Sequence, residues 1–122
     1  MIKPDVFYDG RCPLCRKEIA HYIRLDRQHK INWIDIWTDQ ELLSEKGIQF
    51  EDAMKLLHTI GRDGTIRTGA YSFVLIWREL PYYRHVARVV EMFHLTKVLD
   101  IAYRRFARRR YRARCKDGCG LP

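Results

Sequence analysis

The chain has no long hydrophobic run. Its longest uninterrupted apolar stretch is Phe73 to Trp77, far short of the roughly 18 residues that a membrane-spanning helix needs. No membrane partner is therefore expected. A secretory leader is not expected either, because Lys3, Pro4 and Asp5 stand where an apolar h-region would begin. The expected compartment is the cytoplasm, where thiols stay reduced and structural disulfides are unusual. There is no internal repeat, no low-complexity linker and no composition break that would mark a second domain. Acidic residues almost vanish from the C-terminal end, where Asp117 is the last one. Cysteine is also scarce. The four residues Cys12, Cys15, Cys115 and Cys119 lie near the two ends as C-x-x-C and C-x-x-x-C, which excludes a dense disulfide framework and points to catalysis or metal binding.

What remains is ordinary globular material. The 122 residues are 47% hydrophobic and 31% charged, enough for one domain with its own core. The net charge of +8 is unevenly spread. Met1 to Tyr103 carries 15 Lys and Arg against 14 Asp and Glu, whereas Arg104 to Pro122 carries 8 against 1. The division expected is a domain over residues 1–112 and a flexible, basic, cysteine-containing tail over 113–122.

Asp5 to Tyr8 reads as a strand closed by the Asp9-Gly10 turn. Pro13 suits the first position of a helix, and Cys15, Ile19, Tyr22 and Ile23 give that helix, expected to reach about Gln28, a buried face. Ile31 to Trp37 has apolar side chains on both faces, as a central strand would. Thr38 and Glu41 predict a capping box for a short helix ending at Gly47, and a second covers Phe50 to Lys55. Leu57 to Arg62 and Thr65 to Thr68, joined by Asp63-Gly64, predict a β-hairpin. Helices follow over Ala70 to Leu80, around Val86 to Phe93, and from Leu99 through Ala102, Tyr103 and Phe106. The order is β-α-β-α-β-β-α with additional C-terminal helices, an α/β arrangement of the thioredoxin-like kind.

The chemistry sits at Cys12 and Cys15. A thiol attacks only as its thiolate, and a helix N-terminus offers unpaired N–H groups and the positive end of the helix dipole to stabilise it. Cys12 lies at the N-cap or first position and is the expected nucleophile. Cys15, one turn on, is placed to resolve a mixed disulfide. Arg11 and Arg16 add positive charge nearby, and Pro13 starts the helix. Asp9 has two readings: it accepts or relays a proton during exchange, with Cys15 as a source, or its carboxylate accepts backbone N–H groups of its own turn. Tyr8 adjoins the site, to line it or to pack in the core. His58 falls in a strand and is expected to be a packed histidine, touching the site only if that strand borders it. Trp33, Trp37 and Trp77 lie on apolar faces and are expected in the core.

The segment Tyr8-Asp9-Gly10-Arg11-Cys12-Pro13-Leu14-Cys15 resembles the DCC family of thiol-disulfide oxidoreductases (DUF393), named for an Asp-x-x-Cys-x-x-Cys motif, here Asp9, Cys12 and Cys15. His58, Asp63-Gly64 and Gly69-Ala70 are similar to the family's middle block, and Pro81 and Tyr103 to Arg110 to its C-terminal block. The resemblance implies a thioredoxin-like fold and disulfide exchange without a bound cofactor. The implied partners are a disulfide-containing protein or small molecule and a thioredoxin- or glutathione-type reductant. Thioredoxins carry a cis-proline before the third strand, facing the dithiol. Glu51 to Ile60 contains no proline, which implies a narrower substrate range.

Two other functions stay open at this point. Cys12, Cys15, Cys115 and Cys119 together could form a four-thiolate structural zinc site, although the catalytic reading needs no metal. The Arg-rich tail from Arg104 to Lys116, interleaved with Phe106 and Tyr111, could bind nucleic acid. No base-reading motif accompanies it.

Overall fold

The computed structural model describes residues 3–114. Four strands form one mixed sheet of order β2-β1-β3-β4. β1 (Asp5–Tyr8) takes the centre, parallel to β2 (Asn32–Asp35) and antiparallel to β3 (His58–Ile60), which pairs in turn with β4 (Ile66–Thr68). The order runs β-α-β, two short helices, then β-β-α and further C-terminal helices, as the sequence predicts, and the architecture is thioredoxin-like α/β.

The centre of β1 explains the layering. Successive side chains leave a strand on opposite faces. Val6 enters a core with Ile19 and Tyr22 of α1 (Pro13–Leu25) and Ile76 of α4 (Ala70–Glu79). Phe7 enters a second core with Leu43 of α2 (Gln40–Glu45) and Ala53 and Met54 of α3 (Phe50–Lys55). Both β1 side chains are completely buried. A slip of one residue would exchange the two cores, so the register is strongly specified.

Local expectations fail where a side chain finds a distant partner. The Ile31 to Trp37 alternation predicts a central strand, yet β2 is an edge strand and ends at Asp35. Its aromatic cover replaces a neighbouring strand: Trp33 packs on the first core and Trp37, beyond the strand end, on the second. The helix α1 stops at Leu25 rather than near Gln28, because the Asp26 carboxylate accepts from Lys30 N (2.9 Å), Ile31 N (3.1 Å) and Trp33 Nε1 (3.1 Å). The capping box at Thr38 and Glu41 does not form. Asp39 is the N-cap, without a side-chain bond, and Thr38 Oγ1 donates to the Asp35 carbonyl at 3.2 Å.

The C-terminal half builds a wall over the dithiol end of the sheet. Gly69, at φ +64°, precedes α4, and the Ala70 N–H is capped by Asp100 Oδ1 at 3.0 Å. Asp100 belongs to α6 (Thr96–Arg114), so one helix caps another. Between them, α5 (Tyr83–Met92) buries Ala87 and Val90. The helix α6 docks through Asp100, Tyr103, Ala107 and Arg110, spaced three, four and three residues apart on one helical face. Of Leu99, Ala102, Tyr103 and Phe106, expected to form its apolar stripe, Tyr103 docks and the other three are exposed. The helix continues past residue 112, where the domain was expected to end, while the rest of the expected tail lies outside the described residues. Among the described residues no helix is long and apolar enough to cross a membrane.

Candidate active site

Cys12 is the N-cap of α1, with extended backbone at φ −80° and ψ 117°. Caps usually present an oxygen to the open N–H groups of the first turn. Here a sulfur does so: Cys12 Sγ accepts from Cys15 N at 3.4 Å. Pro13 occupies the first helical position, where its missing N–H costs nothing. The first turn contains no acidic residue, so no side chain there opposes negative charge on the sulfur. Cys12 and Cys15 are both free thiols, and Cys12 is only 2% exposed.

Two carboxylates hold the turn that carries Cys12. Asp9, buried, accepts from Arg11 N (3.0 Å) and from Trp37 Nε1 (2.7 Å). Asp35, at the end of β2, accepts from Gly10 N (3.2 Å) and Trp37 N (3.0 Å). A Cβ on Gly10 would overlap the Asp35 carboxylate, which is why glycine follows Asp9. The Asx-turn role of Asp9 is thus present, and the same carboxylate lines the cleft beside Cys15.

The third component comes from α6. Arg110 Nη1 donates to Cys15 Sγ, and Nη2 donates to the carbonyls of Met54 and Lys55 at 3.3 Å each. The guanidinium therefore ties the dithiol to the segment leading into β3. Burial, reinforced by the hydrogen bond with Cys12, pushes the Cys15 thiol up to about 12, while the Arg110 charge pulls the other way. Burial also pushes the Tyr103 phenol up to about 12. The cleft lined by Asp9, Cys15, Glu18, Tyr103, Phe106 and Arg110 has a volume of ≈ 30 Å³, enough for about two waters.

The remaining expected site residues scatter. The Arg11 guanidinium lies 4.1 Å from the Trp37 ring centroid, stacked on the indole. Arg16 is exposed on the first turns of α1. Tyr8 is half-buried against the first core, its phenol raised by burial and then by the Asp35 charge. His58 is buried, with Nδ1 2.8 Å from the Leu56 carbonyl, and burial holds its pKa below the usual histidine value. Neither Tyr8 nor His58 lines the cleft. Sequence reasoning missed Arg110, Asp35 and the site role of Trp37. For Arg110 a signal existed: it shares the helical face of Tyr103 and Ala107, so an arginine on the inward stripe was readable.

The four-cysteine zinc reading depends on Cys115 and Cys119, which lie outside the described residues. Among the described residues no three His, Cys, Asp or Glu side chains cluster as a metal site.

Comparison with known proteins agrees with this geometry. The chain belongs to the DCC1-like thiol-disulfide oxidoreductase family, whose model matches residues 6–116. It is 26% identical over 103 residues to an uncharacterised chloroplastic protein of Arabidopsis thaliana, covering 83% of this chain and 48% of that protein. The chain thus spans about half the length of this curated relative. No solved structure matches it.

Proposed function

We propose that this DCC1-like family member exchanges disulfides through Cys12 and Cys15, with Cys12 as nucleophile and Cys15 as resolving thiol. The observation that carries the reading is the pair of donors on the two sulfurs: the Cys15 N–H on Cys12 Sγ, at the positive end of α1, and the Arg110 guanidinium on Cys15 Sγ.

In the reducing direction, the Cys12 thiolate attacks one sulfur of a substrate disulfide. The S–S bond breaks, the leaving thiolate takes a proton, and Cys12 is left in a mixed disulfide. Cys15 keeps its proton until this stage, because burial disfavours its thiolate. It then gives the proton to Asp9 or to cleft water and attacks Cys12 Sγ. The second substrate thiolate leaves and is protonated. The protein is now the Cys12–Cys15 disulfide, oxidised by two electrons, and a thioredoxin- or glutathione-type donor restores the dithiol. Arg110 stabilises the Cys15 thiolate as it forms, by a charge-assisted hydrogen bond. Since Cys12 is nearly enclosed, the turn from Asp9 to Arg11 or the Arg110 side chain shifts as substrate enters. Pro13 fixes the start of α1, and Arg16 adds positive charge to its first turns. Tyr8, Arg11 and His58 support this site through the surrounding turn and sheet.

The test is trapping. Cys15→Ser should accumulate a mixed disulfide on Cys12 when given bis(2-hydroxyethyl) disulfide, and Cys12→Ser should be inert. A Cys12→Ser variant exchanging as fast as the parent would end the proposal.

A further inference from the structure

The outer face of α6 is apolar and basic at once, and it leads to the dithiol. Phe106 lines the Cys15 cleft and also a shallow trough of ≈ 570 Å³ shared with Val98, Ile101, Ala102, Arg105 and Arg109. Val98 and Ile101 are more than half exposed, and Phe106 nearly half. Clustered exposed apolar side chains mark interaction surfaces rather than ordinary solvent-facing helix. Arg105 and Arg109 are exposed and have no carboxylate partner among the described residues.

We propose that this face docks the polypeptide of a protein disulfide substrate, and that it selects apolar and acidic residues flanking the reacting cysteine. The inference rests on the oxidoreductase reading above and names the substrate class of that site. Continuity carries it: one side chain, Phe106, belongs to both the cleft and the trough. A chain whose disulfide reaches the dithiol is thereby led along α6. From Phe106 to Val98 the helix rises about 12 Å, the span of three to four extended residues. Charge decides between occupants. Thr96–Arg114 carries eight Lys and Arg against the single Asp100, so a second copy laid on this helix would meet like charge, whereas an acidic segment is attracted. An anionic lipid surface would satisfy the charge but not the link to the dithiol.

The experiment compares two cysteine peptides, each activated as a mixed disulfide with thionitrobenzoate, identical except for flanking Leu-Glu or Leu-Lys residues. Bis(2-hydroxyethyl) disulfide serves as the small reference substrate. The acidic peptide should react about five- to tenfold faster than the basic one, as two exposed ion pairs allow. The preference should vanish near 1 M salt, where the Debye length is about 3 Å. It should reverse in an Arg105→Glu, Arg109→Glu double variant. Equal rates for both peptides alongside normal turnover of the reference would overturn the docking face alone. An unchanged preference in the double variant, with binding to phosphatidylglycerol vesicles lost, would overturn it in favour of a lipid surface. No exchange with the reference disulfide would overturn the oxidoreductase reading and this inference together.

Discussion

The Arg110 guanidinium reaches back across 95 residues of chain to the sulfur of Cys15. Its other amino group holds the Met54 and Lys55 carbonyls, so α6, α3 and the start of α1 meet at one side chain. A hydrogen bond to a charged partner contributes about 1.5–3 kcal/mol, and each 1.4 kcal/mol is about tenfold in rate. Arg110→Gln should therefore slow the resolving step on the order of 10- to 100-fold and let mixed disulfide build up on Cys12. Arg110→Lys should recover part of the rate, since it restores the charge without the fork. Stopped-flow kinetics with acid quenching would read both. A mixed-disulfide lifetime unaffected by Arg110→Gln would remove the arginine from the mechanism.

The raised Cys15 pKa sets an alkaline limit. Because the folded value, about 12, lies above that of an exposed thiol, the protonated form is the one the fold favours. Stability from this group is full below the unfolded pKa, near 8.5, and falls as pH rises from there towards 12. Iodoacetamide should label Cys15 very slowly up to about pH 10, far behind an unfolded control. Cys15→Ser should flatten the loss of stability over the same window. Rapid labelling of native Cys15 at pH 8 would contradict the buried geometry.

Asp9 holds its turn, and in the proposed exchange it also takes a proton; substitution separates the two. Asp9→Asn keeps an oxygen for Arg11 N and Trp37 Nε1 but removes the proton acceptor. It should melt close to the parent while its resolving rate drops roughly 100-fold or more, within the range seen for general bases. Asp9→Ala leaves buried donors unpaired, at about 1–3 kcal/mol each, and should lower Tm by several degrees. If Asp9→Asn resolves at the parental rate, proton transfer runs through water alone.

Asp100 stabilises the site from a distance. Its carboxylate caps Ala70 N and pairs with Arg104 at 2.8 Å. Loss of such a cap costs about 0.5–2 kcal/mol. Asp100→Ala should lower stability by that order in urea unfolding, and Asp100→Asn by less. Gly69→Ala should be destabilising too, because a Cβ at φ +64° would press on the Asp100 carboxylate. A neutral Gly69→Ala would show that α6 moves away easily.

The dithiol segment was the most readable part of the chain. Pro13 after Cys12, the Asp9 side chain bonded to Arg11 N and the Asp63-Gly64 hairpin each act within a few residues, through a fixed φ, an Asx turn and a positive φ. Adjacent Val6 and Phe7 placed β1 for the same reason, because their side chains must leave on opposite faces. Those local rules determined the element order and the position of Cys12 on α1.

Contacts between distant residues decided the rest. The alternation of Ile31 to Trp37 could not show that indoles bonded to Asp26 and Asp9 would cover an edge strand. The helix α6 reads as apolar at Leu99, Ala102, Tyr103 and Phe106, but the domain leaves three of these exposed and takes only Tyr103, together with Asp100, Ala107 and Arg110. That face supplies a cap for α4 and a counter-charge for Cys15, partners invisible to a periodicity of apolar residues alone. Sequence determined where the sulfurs sit on their helix. Only the tertiary structure decided which charges surround them, because electrostatic and hydrogen-bond partners are chosen by proximity in space, whatever their separation along the chain.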